Sequence, residues 1–148
     1  MAGNVTIDHR LLDGRAVRDR ILGEVTTRVR DAAAKHVIGR LVSVSIGEHK
    51  AAAVYVRGQA TAAKKVGLRF EEQIWPSGLT QDECKARIVK MNDDPDVLGV
   101  ILQRPVPSHI HGRSLASAIH PFKDVEGMNP ASIGNIVTAQ VNNYIQVP

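Results

Sequence analysis

Three short stretches carry side chains whose types and spacing suit chemistry on a small molecule. In residues 47–59, GEHKAAAVYVRGQ, Tyr55 and Gln59 stand four apart and so share one face of a helix. A phenol ring offers a stacking surface with a polar tip, and a carboxamide offers both an acceptor and donors. A tyrosine on a helix face also packs cores, and a glutamine is also a solvated surface residue, so these residues alone leave both readings open. In 103–107, two prolines alternate with other residues in Gln103-Arg104-Pro105-Val106-Pro107. They stiffen the backbone, which holds hydrogen-bonding groups in place beside a ligand; an ordinary strand-ending loop has the same composition. In 120–130, HPFKDVEGMNP, Asp124 follows Lys123 in a loop punctuated by Pro121, Gly127 and Pro130. A solvated charged turn is the alternative there.

Other reactive side chains fit blander roles. His109 and His111 lie two apart in a loop with no cysteine nearby, and His120 follows at some distance. That pattern suits loop or capping histidines, and no metal is expected. Cys84 is the one cysteine, so no internal disulfide exists; its mid-helix position suits a packing thiol. Arg57 cannot join Tyr55, because two helical residues put it about 200° away.

The chain has 148 residues, the length of one domain able to bury a core. Aromatic residues make up 3%, so that core must be built from Val, Ile, Leu and Ala. A net charge of +4 favours anionic small molecules mildly. The positive residues are dispersed among acidic ones and aromatics are scarce, which leaves no stacking groove for nucleic acid. No apolar run approaches the ~18 residues that cross a membrane, and the opening MAGNVTIDHR has no apolar signal core. A soluble, cytoplasmic protein is the expectation.

The elements that must position these residues follow from periodicity. Val17, Ile21, Val25, Val29 and Ala32 predict a helix over 14–35 with one buried stripe, with Asp13 at its N-cap. LVSVSIG at 41–47 reads as a strand, 50–66 as an Ala-rich helix ending near Gly67, and 68–76 as a second strand. Thr80 and Glu83 form a capping-box pattern opening a helix through about Met91, with Ile88 and Met91 as core candidates. VLGVIL at 97–102 is a continuous apolar run, as in a strand buried on both faces of a parallel sheet. Strands alternating with helices predict a three-layer α/β/α domain with a mainly parallel sheet. Ligands in such sheets bind outside the carboxyl ends of the strands, which places the stretches after Gly47 and Leu102 at the ligand edge.

The order of these signals resembles the catalytic, folate-binding domain of the methylenetetrahydrofolate dehydrogenase/cyclohydrolase family. The resemblance is carried by Leu12-Asp13-Gly14-Arg15, the Tyr-Val helix at 55–56, the Gln-x-Pro-x-Pro loop and the Lys-Asp-Val-acid-Gly loop, and it covers residues from about 11 to the end. It implies that Tyr55 stacks near a tetrahydrofolate and helps position it, that Gln103 holds both the folate and the residue at position 59, and that Tyr55, Gln59 and Gln103 are the catalytic positions. It implies that Asp124 grips the pterin through paired N–H bonds, and that Arg104 and Pro105 line the same site. It implies 5,10-methylenetetrahydrofolate as ligand, NADP or NAD from a further domain, and a homodimer.

Three departures from the family pattern bear on chemistry. Gln59 stands where the family has the lysine that serves as general acid and base, and a carboxamide has no titratable proton near neutrality. Ala52 replaces a serine and Arg104 replaces a leucine; Glu126 for Asp and Met128 for an aromatic are milder changes. Cyclohydrolase activity is therefore expected to be absent or very low. No Gly-x-Gly-x-x-Gly occurs in the chain, and Pro148 falls where the family's hinge to a nicotinamide domain would lie. Methylene transfer to another acceptor, with Arg104 orienting an acidic one, and a non-catalytic folate-binding pseudoenzyme both remain open.

Overall fold

The computed structural model describes residues 13–137. Leu12, the first residue of the opening motif, lies outside them. The elements are α1 (Gly14–Ala34), β1 (Arg40–Ile46), α2 (Lys50–Val66), β2 (Arg69–Trp75), α3 (Gln81–Asp93), β3 (Val97–Leu102), α4 (Gly112–Ala118), a 3-10 turn at Pro121–Lys123 and α5 (Pro130–Val137). The sheet is parallel in the order β2-β1-β3. The α/β class and the alternation of elements match the expectation from sequence.

Local chemistry sets the helix ends. Asp13 accepts a hydrogen bond from the Arg15 amide at 3.0 Å, opening α1. The Thr80 side chain accepts from the Glu83 amide while Glu83 accepts back from the Thr80 amide, so two orphan donors are satisfied reciprocally at the start of α3. Gly67 ends α2 with φ +80°, a left-handed conformation that costs a residue with a β-carbon.

The crossovers explain the layers. β1 connects through α2 to β2 on one side, and β2 connects through α3 to β3 on the other side of β1. Right-handed crossovers in opposite directions put α2 and α3 on opposite faces. On the α3 face, Val42, Val44 and Ile46 of β1 are fully buried with Cys84, Ile88 and Leu115. Side chains alternate along a strand, so Ser43 and Ser45 point to the α2 face, where Val56, Ala63 and Val66 are buried.

Two expectations are corrected. The stripe of α1 is not buried: no α1 residue is, and Val17 and Ile21 are 50% and 47% exposed. The helix rests on α2, not on the sheet, so Val25, Val29 and Ala32 are only half-covered. Strand β3 is buried at 99–102, but Leu98 is 39% exposed at the end away from the ligand edge.

Candidate functional site

β1 and β3 are neighbours whose following segments leave toward opposite faces, β1 into α2 and β3 toward α4. The carboxyl ends of such a pair enclose a crevice. Gln103 sits in it, directly after β3. Its backbone N–H donates to the Val44 carbonyl at 2.8 Å, extending the ladder by one residue, and its side chain is buried. Its Nε2 donates to Ser43 Oγ at 2.9 Å and to Gln59 Oε1 at 2.8 Å. One carboxamide thus ties β3, β1 and α2 together at the ligand edge. Ser43 was not singled out by sequence, although a serine within a buried apolar strand must find a polar partner and is a signal for that reason.

Tyr55 is 66% exposed, so the core-packing reading does not hold. Its ring lines an open groove of about 560 Å³ with Val54, Gly58, Gln59 and Ala62. The shared face of Tyr55 and Gln59 is therefore open to a ligand while Val56, one residue on, is in the core. Arg104 and Pro105 are exposed beyond Gln103 and joined by a cis peptide bond. The Arg104 guanidinium lies over Gly112 at the start of α4, where a β-carbon would stand 3.5 Å from Nη1.

The acidic loop is fastened from three directions. Lys123 Nζ donates to the Met91 and Asp94 carbonyls at 2.9 and 2.7 Å, tying the loop to the end of α3. Asp124 pairs with Val100 in a parallel bridge on the free edge of β3. Val125 crosses directly over Gly99, where any β-carbon would collide with it. Gly127 then turns the chain with φ +67°.

That turn separates the two carboxylates. Asp124 is 3% exposed, and its oxygens accept from the Met128 amide (3.1 Å), the Asn129 amide (2.7 Å) and Ser132 Oγ (3.0 Å). Its hydrogen-bonding capacity is largely used by its own loop. Glu126 is exposed instead. Partial desolvation pushes its pKa up, and nearby Asp124 does so further; a backbone hydrogen bond from Leu102 and the positive charge of Arg104 oppose both.

The histidines take local roles. His120 Nδ1 accepts from the Phe122 amide at 3.3 Å, and His109 Nε2 contacts the Leu79 carbonyl at 3.0 Å. Among the described residues no three His, Cys, Asp or Glu side chains gather as a metal site. Cys84 is fully buried, and burial pushes its thiol pKa up. No helix among the described residues is long and apolar enough to cross a membrane.

Residues 12–126 match the model of the tetrahydrofolate dehydrogenase/cyclohydrolase catalytic domain. The chain belongs to that family. It is 60% identical over 130 residues to the bifunctional protein FolD of Rhodobacter capsulatus, covering 88% of this chain and 43% of that protein. It superposes with a TM-score of 0.85 on the crystal structure of the bifunctional FolD enzyme of Campylobacter jejuni, at 27% identity, over 88% of this chain and 46% of that one. It superposes with a TM-score of 0.79 on Trypanosoma brucei FolD, solved with NADP and an inhibitor, at 28% identity, over 89% and 45% of the two chains. The chain thus spans less than half the length of the relatives it matches.

Within this tetrahydrofolate dehydrogenase/cyclohydrolase domain, the family's motifs converge on one edge of the sheet. Gln59 and Gln103 are in contact, and Tyr55 opens beside Gln59. Arg104 and Pro105 continue from Gln103 on the same strand end. Asp124 is the exception, since its oxygens face the loop's own donors.

Proposed function

We propose that this domain binds tetrahydrofolate carrying a one-carbon unit in the crevice between β1 and β3, as the folate-binding half of a methylenetetrahydrofolate dehydrogenase, with the cyclohydrolase step absent or very slow. Tyr55 stacks on the folate, and Gln103 and Pro105 shape the pocket floor. Glu126, not Asp124, accepts the paired N–H groups of the pterin edge. The loop leaves Glu126 accessible beside β3, whereas Asp124 is consumed in holding that loop.

The observation that carries the reading is the Gln59–Gln103 hydrogen bond. It supports the reading because the family resemblance assigns position 59 to a lysine that accepts and returns a proton, and a carboxamide fills that position here. This residue can orient the folate but cannot exchange protons with it near neutral pH. Oxidation of the methylene group needs no such base from the protein, because hydride leaves to a nicotinamide. That cofactor, NADP or NAD, requires a binding domain outside these 148 residues. The same carboxamide favours a second reading, a non-catalytic folate-binding module. Methylene transfer to another acceptor is a third use of the same bound folate.

Calorimetric titration with tetrahydrofolate and 5,10-methylenetetrahydrofolate tests the binding. Saturable binding lost in Glu126→Gln is expected, and a well-folded chain that binds neither compound overturns the reading. Hydrolysis of methenyltetrahydrofolate by the purified chain, above the buffer rate, overturns the loss of cyclohydrolase. Turnover with a supplied nicotinamide domain separates the enzyme from the binding module. Sedimentation equilibrium tests the homodimer that the family resemblance implies.

A further inference from the structure

We propose that the cavity between the amino end of α2 and β2 is a second ligand site, separate from the folate crevice, and that it binds a small zwitterion of the free amino acid type. The cavity measures about 170 Å³, the room of roughly five or six water molecules. It lies on the β2 side of α2. Ala53 lines it, whereas Tyr55, which lines the folate groove, comes two residues later and so about 200° round the helix. On the sheet, Ser45 stands beside Ile74, and the alternation of side chains puts both, together with Glu72, on the α2 face.

One wall of this cavity suits a carboxylate. The first N–H groups of α2, a helix of 17 residues, have no side chain capping them, and its first turn holds no acidic residue. His49, at the N-cap, turns its ring toward Gly47 instead: its Nε2 lies 3.9 Å from where a β-carbon on that glycine would stand, and it is buried without a hydrogen-bond partner. Ser45 is 7% exposed and lines the cavity, and its hydroxyl makes no hydrogen bond among the described residues. Buried polar atoms are rarely left this way, because an unmade hydrogen bond costs free energy. Lys50 adds a positive charge at the same end. A simple anion would nevertheless meet two carboxylates, Glu48 and Glu72, in the same cavity, and neither is in an ion pair among the described residues. A molecule that carries both charges satisfies both walls. Its carboxylate meets the α2 amides, Ser45 Oγ and Lys50, and its ammonium meets Glu72. Ala53 and Ile74, the latter 54% exposed, offer apolar surface to a short apolar side chain.

The site does not depend on the folate reading, and the test is a titration of the full chain with L-alanine followed by two-dimensional amide NMR. Saturable shifts in the millimolar range are expected at the amides of Gly47, His49, Lys50 and Ala53, with the Gln103 amide unmoved. Acetate and ethylammonium each carry one of the two charges and should bind at least about tenfold more weakly. Glu72→Gln should weaken L-alanine by about tenfold and acetate not at all, whereas Lys50→Gln should weaken both. Both positions are exposed, and an unchanged spectrum away from the cavity verifies the fold of each variant. No saturable shift in the wild type overturns the proposal, as does acetate binding as tightly as L-alanine, or L-alanine binding indifferent to both substitutions. Shifts centred on Tyr55 and Gln103 would put the ligand in the folate crevice and overturn the separate site.

Discussion

Gln103 Nε2 donates to Gln59 Oε1 at 2.8 Å, across 44 residues of sequence, and the same nitrogen donates to Ser43 Oγ. Position 59, where the family resemblance implies a lysine, is thus held by a neutral side chain already engaged with its neighbour. Gln59→Lys places an amine beside the Gln103 carboxamide. It is expected to raise methenyltetrahydrofolate hydrolysis by about a hundredfold, the lower end for general acid–base catalysis. A spectrophotometric hydrolysis assay reads this directly, and no gain would mean that more than position 59 separates this site from a cyclohydrolase.

The two carboxylates of the acidic loop should separate in experiment. Asp124→Ala removes an acceptor from two backbone N–H groups and a hydroxyl in a buried place, and is expected to cost about 3 kcal/mol. Glu126→Gln should leave the thermal midpoint nearly unchanged and abolish folate binding. Urea unfolding beside calorimetry distinguishes them; equal loss of stability in both variants would refute the division of labour.

Gly99 is where β3 lets the acidic loop cross its edge. A β-carbon there runs into Val125, so Gly99→Val is expected to destabilise by about 2 kcal/mol through overpacking. It should weaken folate binding as well, since the displaced loop carries Glu126. Retained affinity in a destabilised variant would show that the loop finds its place without that close approach.

The end of the sheet away from the site is held by Arg40, which pairs with Glu71, with Asp94 at 2.8 Å and with Asp96 at 3.1 Å. A hydrogen bond from the Asp96 amide, and then the Arg40 guanidinium, hold the Asp94 carboxyl below its usual value of 3.8. A depressed folded-state value means that the contribution to stability is present above about pH 4 and is lost as pH falls through the folded value. The thermal midpoint difference between wild type and Asp94→Asn should therefore be full near neutrality and shrink on acidification. A difference independent of pH would sink this assignment.

Sequence by itself determined much of the frame. The Thr80–Glu83 box, the terminal Gly67 and the apolar run at 97–102 depend on contacts within a few residues, so elements and their order were legible. So was the common face of Tyr55 and Gln59, because helical spacing is local geometry. Only tertiary structure decided which surfaces are covered. The stripe of α1 has the spacing of a buried face, yet the helix meets α2 and not the sheet. Ser43 and Gln103 lie 60 residues apart, and no periodicity links them. Asp124 and Glu126 would point the same way from a regular extended strand. The left-handed turn at Gly127 brings the Met128 and Asn129 amides back onto Asp124 alone. Local spacing sets which residues share a face; the folded path of the chain sets what that face meets.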